Sequence, residues 1–139
     1  MTNESQEDML PQHPVNLTAV NLLELFIHSN RPPDSSIDIE EKKLSIGVGK
    51  SNYDEENKII RVAIKLEVGK DDTVPYLLRV ILEGVFHVTR DDLSVEQINE
   101  WALKSSPYVL FPYLREHAFA LTARAGFRPL ILPLVQVPI

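Results

Sequence analysis

The chain has no cysteine, which excludes a disulfide scaffold, a thiolate metal site and a cysteine nucleophile and is compatible with a reducing cytoplasm. Positive charge is also short: 14 Lys and Arg stand against 20 Asp and Glu, a formal net charge of -6. Phosphate backbones are bound by basic surfaces that release counterions, so nucleic acid is not an expected partner. No run reaches the roughly 20 apolar residues that a membrane helix needs, and Arg128, Pro129, Pro133 and Gln136 break up the greasy C-terminal stretch. Membrane insertion is therefore not expected. The opening residues, MTNESQEDML, place no basic region before an apolar run, so no secretory signal is read there and a cytoplasmic location is expected.

Catalytic and cofactor patterns are missing as well. His13, His28, His87 and His117 include no pair at the i, i+4 or H-x-H spacing of a zinc site. Gly47-Val48-Gly49-Lys50-Ser51 looks like the end of a phosphate loop, but the first glycine of that motif would fall at Leu44 and no helical pattern follows. Arg115, Glu116 and His117 are consecutive on a helix and point in different directions, so they do not converge on one substrate atom. Asp91-Asp92 reads as loop chemistry ahead of a helix. Asn16-Leu17-Thr18 has the spacing of a glycosylation acceptor, which means nothing without a signal peptide. The sequence predicts no enzyme, no metal and no cofactor.

What is present is a chain of 139 residues, 44% apolar and 24% charged, long enough for one domain with a real core. Residues 1–14 are acidic, carry Pro11 and Pro14 and read as a disordered tail, leaving a single domain over 15–139. From Val15 to Ser29, Leu22, Leu23, Phe26 and Ile27 suit a helical stripe while Leu23, Leu25 and Ile27 alternate as in a strand, and periodicity leaves both open. Pro32-Pro33 forces a loop. Ile37, Ile39, Leu44, Ile46 and Val48 make one bent strand or two short ones. Strict alternation from Ile60 to Val68 is the clearest strand, followed by a turn at 69–72 and a strand over Tyr76 to Val88 whose two faces are both greasy enough to need cover. Ser94-Val95-Glu96-Gln97 fits a capping box, and the helix it starts stops near Ser105-Ser106-Pro107. A second helix carries Leu114, Ala118, Leu121, Thr122 and Ala125 on one face, with Pro112 in its first turn or kinking it and Gly126 as its left-handed cap. Beyond Gly126, prolines among aliphatics predict an extended, docked segment. Strands first and helices last is an α+β order with an antiparallel sheet.

Apolar content without catalytic groups points to a partner, and Trp101, Tyr108, Phe111, Tyr113 and Phe119 serve equally a core, a subunit interface or a polypeptide groove. Here a resemblance adds to the residues. Leu110-Phe111-Pro112-Tyr113-Leu114-Arg115-Glu116, the run from Ala125-Gly126-Phe127 to Pro133-Leu134-Val135, and Glu83-Gly84-Val85-Phe86 upstream resemble the SecB protein-export chaperones, with weaker similarity over residues 17 to 137. The resemblance implies a four-stranded antiparallel sheet packed with C-terminal helices, with Val15 to Ser29 as a strand, and subunits that assemble into dimers or tetramers. It implies a holdase for unfolded clients in export, with SecA as a further partner, or else a dedicated chaperone of an antitoxin or other single partner. Client-binding or subunit-contact candidates are Leu78, Val80, Leu82 and Phe86 on the strand and Trp101, Phe111, Tyr113 and Phe119 on the helices, with Leu130 and Leu132 beyond. SecA-facing candidates are Glu24 and Leu77. His28 and Arg79 stand where the family has carboxylates, so that docking surface is altered.

Overall fold

The computed structural model describes residues 13–34, 39 and 43–133. Nearly all of the expected tail, Ile37 and the Leu134-Val135 end of the family motif lie outside them. Four strands come first: β1 (Val15–Ser29), β2 (Leu44–Lys50), β3 (Ile59–Val68) and β4 (Tyr76–Val88). Two helices follow, α1 (Val95–Lys104) and α2 (Ser106–Arg124). The strands form one antiparallel sheet in the order β1-β4-β3-β2. The long Val15–Ser29 segment is thus a strand, and Ile39 packs against the core.

Period-two alternation decides which face is the core. Ile60, Val62, Ile64, Leu66 and Val68 on β3 and Tyr76, Leu78, Val80, Leu82, Phe86 and Val88 on β4 all point to one side, where they are buried. Both helices cover that side with Ile98, Ala102, Leu110, Leu114 and Ala118. Gly84 sits at their closest approach: a Cβ there would lie 2.7 Å from Leu110 Cδ2 and 2.8 Å from Phe86 Cε2, so only glycine lets α2 press onto the sheet.

No described element packs on the opposite face. The cover expected on both sides is replaced by ion pairs, Arg61 to Glu83 at 3.0 Å and Arg79 to Glu24 across neighbouring strands, and Lys65 to Glu67 at 3.0 Å along β3. One solvated face is ordinary in an antiparallel sheet.

The β2–β3 hairpin closes on Asp54, whose carboxylate accepts from the Asn57 side chain at 2.8 Å and from the N–H groups of Asn57 and Glu56 at 3.1 Å. Those donors, the Asn57 amide foremost, hold Asp54 below the usual carboxylate range.

The capping box forms as the sequence predicts. Gln97 N–H donates to the Ser94 hydroxyl at 3.1 Å and Ser94 N–H donates to Gln97 Oε1 at 2.9 Å. Ser94→Ala is expected to lower stability by about 1 kcal/mol, read as an earlier urea midpoint at unchanged slope.

The helix joint falls at Ser105, where the sequence reading places it, and of the two positions read for Pro112 the first turn is excluded. Ser105 alone separates α1 from α2, because Pro107 falls in the first turn of α2, where a missing N–H is no loss. Pro112 is then inside the helix, beyond its first turn. It would have donated to Tyr108 O, and both residues are exposed, so the forfeited bond lies on the outward flank and leaves the core-facing turn intact.

Candidate functional site

The C-terminal end of α2 builds one wall of the site. Gly126, at φ +90°, takes the left-handed conformation, and the chain reverses through Gly126 N–H to Ala123 O and Phe127 N–H to Thr122 O, each 3.1 Å. These are the paired bonds of a glycine-capped helix end. Phe127 lands on Tyr76, ring centroids 4.6 Å apart, and this returns residues 128–133 along the flank of α2. The returning segment alternates: Leu130 and Leu132 are buried and Ile131 between them is 66% exposed.

Between that segment and α2 lies an open groove of about 530 Å³, lined by Pro112, Arg115, Glu116, Phe119, Ala120, Leu130, Ile131 and Leu132. Phe119, 47% exposed, faces it from the helix. Tyr113, Tyr108 and Val109 extend the exposed apolar surface around the helix. A helix apolar on its outer as well as its inner flank expects a partner on both.

A second apolar surface sits on β1, one of the two outer strands of the sheet. Its register on β4 slips twice, between Leu17 and Ala19 and between Leu22 and Glu24, so it carries two bulges. Leu22 lies opposite Leu82 and Leu25 opposite Val80, on the helix side of the sheet, yet they are 45% and 39% exposed because the helices pack mainly over β3 and β4. Leu23, on a bulge, and Phe26 are exposed too.

The candidates named from sequence divide accordingly. Leu78, Val80, Leu82 and Phe86 are not surface groups: strand parity turns them under the helices, and as direct client or subunit contacts they are corrected to core residues. Phe111 is likewise buried against the core. Trp101 is half-buried, edge-on to Phe86 at 5.1 Å with His13 tilted over it at 5.5 Å. Leu130 and Leu132 border the groove but are buried, so as direct client contacts they too are corrected to core residues, while Phe119 is exposed in the groove and Tyr113 on the same helix.

Glu24 and Leu77 share the solvated face of the sheet, near a hollow of about 380 Å³ bordered by Phe26, Glu67, Leu77 and Arg79. Arg79 sits 5.3 Å from the Phe26 ring centroid and pairs with Glu24, so this acid is internally neutralised. Sequence reasoning missed Ile131 and the β1 row. The run Leu22-Leu23-Glu24-Leu25-Phe26, apolar on both sides of a strand at the sheet edge, was the available signal.

No cluster of three or more His, Cys, Asp or Glu among the described residues is placed to hold a metal ion. No helix among them is long and apolar enough to cross a membrane.

Comparisons with known proteins agree with one another. The family model described as preprotein translocase subunit SecB matches residues 15–137. A protein-export protein SecB from Ehrlichia chaffeensis is 28% identical over 122 residues, covering 78% of this chain and 70% of its own. The SecB of Anaplasma phagocytophilum is 30% identical over 113 residues, covering 78% and 71%. Among solved structures, a SecB-like chaperone of Mycobacterium tuberculosis in complex with an antitoxin peptide superposes with a TM-score of 0.63 at 19% identity, covering 88% of this chain and 91% of that one. With its four-stranded antiparallel sheet, its C-terminal helices and a family match that runs through both, the chain belongs to the SecB family of chaperones.

Proposed function

We propose that the protein is a holdase that keeps client polypeptides extended by seating their apolar side chains in the groove beside α2. The observation that carries this reading is the open groove itself, about 530 Å³ with Phe119 and Ile131 exposed at its lips. An extended chain presents alternate side chains at a spacing that such a trough accepts without reading a particular sequence. Self-association into a dimer or tetramer runs along β1, whose leucines are uncovered in the single chain. SecA is a further partner, through the face carrying Glu24 and Leu77. Its contact there is weakened because Arg79 already occupies Glu24. The working compartment is the cytoplasm.

A second reading, a chaperone dedicated to one partner, is favoured by the Mycobacterium tuberculosis neighbour, whose bound peptide comes from an antitoxin. Native mass spectrometry with reduced, carboxymethylated lysozyme separates the two. The holdase reading expects a dimer or tetramer that captures this unfolded chain and ignores folded lysozyme. A species that binds no unfolded lysozyme removes the holdase reading, and tight capture of a single short segment with none of the generic chain selects the second.

A further inference from the structure

We infer that Thr122 is a positioning residue for the client groove: its hydroxyl sets the distance between α2 and the returning segment and so keeps the groove open. The inference rests on the holdase reading above. Thr122 is fully buried on α2, and its Oγ1 is used in both directions. It donates to Ala118 O at 2.8 Å, with Phe119 O at 3.1 Å, and it accepts from Leu130 N–H at 2.9 Å. A threonine inside a helix often bonds back to the preceding turn, and that alone would be an ordinary local contact. The acceptor half is what differs, because it ties the helix to a residue eight positions on, in the segment forming the opposite wall.

The backbone of the same residue reinforces this. Thr122 O accepts from Phe127 N–H, so one residue holds the reversal at its start and, through its side chain, at Leu130. Leu130 N–H is a buried donor beside Pro129, which has no N–H of its own to offer. Fixing Leu130 inward fixes the alternation, with Leu132 inward and Ile131 outward at the groove. On the helix side, the hydroxyl reaches the backbone carbonyl of Phe119, the aromatic that faces Ile131 across the groove. Thr122 thus couples both lips without touching a client.

The test compares Thr122→Val, which keeps the β-branch and removes the hydroxyl, with Thr122→Ser, which keeps the hydroxyl, using reduced, carboxymethylated lysozyme as client. Thr122→Val is expected to raise the client Kd about tenfold, the scale of one buried donor left unsatisfied, and to lower hydrogen-exchange protection of the Leu130 amide. Thr122→Ser should keep both near the parent values. Phe119→Ser is measured in parallel to tell the two levels apart. If Phe119→Ser weakens capture and Thr122→Val does not, the positioning role is overturned and the groove survives. If neither weakens capture, the groove reading falls and the positioning role with it. Should Thr122→Val not fold, exchange on the parent chain decides: client binding must add protection at residues 130–132, and no added protection there overturns the inference.

Discussion

Replacing Phe119 and Ile131 together by aspartate is expected to weaken capture of an unfolded chain by about a hundredfold, with little change in the chain's own stability. Both residues leave about half or more of their surface in water, 47% and 66% exposed, so the folded chain loses little when they go. Against a client the same area becomes buried. A fully buried side chain of this size contributes roughly 1.5 to 3 kcal/mol, so two half-buried ones supply about 2 kcal/mol together. A carboxylate at each lip adds desolvation cost on binding, and each 1.4 kcal/mol or so is a factor of about ten in affinity. Equilibrium titration against reduced, carboxymethylated lysozyme, with circular dichroism as the folding control, reads the effect. Unchanged affinity in a folded double variant would place client binding elsewhere on the molecule.

How much of this was legible in the sequence depends on which physical signal carried it. Strand parity is local and strict, so β3 and β4, their buried faces and their antiparallel pairing followed from alternation alone. The cap of α1 and the left-handed Gly126 were legible for the same reason, since each is fixed by a few neighbouring residues. Val15 to Ser29 was not, because an edge strand with two bulges breaks its own period at Thr18 and Leu23 and mimics a helical stripe. The family resemblance settled it where periodicity did not.

The site was less legible than the fold. Leu78, Val80 and Leu82 are apolar for two indistinguishable reasons, a core or an interface, and only the position of the helices shows that the core claims them. Phe119 and Leu114 read alike on paper, both apolar on one helix, yet one is exposed and the other fully buried. Ile131 is a single aliphatic among many, and nothing in the run of aliphatics and prolines around it marks it as the exposed one.

If the proposed self-association runs along β1, changing Leu22 and Leu25 together to glutamate is expected to separate the subunits, raising their dissociation constant by about a thousandfold. A long outer strand with exposed leucines invites pairing unless charge, proline or a covering element guards it. β1 is fifteen residues long, and the one carboxylate in its centre, Glu24, is turned to the other face and held by Arg79. Across a two-fold axis the two leucines become four. Each regains about half of the roughly 1.5 to 3 kcal/mol of full burial, which sums to about 3 to 6 kcal/mol per dimer. Sedimentation velocity over a concentration series reads the loss, and a double variant that keeps the parent's mass would move the interface to the outer flank of α2 around Tyr108 and Tyr113. The groove between Phe119 and Ile131 is built within one chain, so the dissociated variant should still bind a short unfolded peptide with near-parental affinity. Long clients, which would span several grooves only in the proposed oligomer, should then lose more affinity than short ones, because linked sites gain effective concentration that a single site lacks.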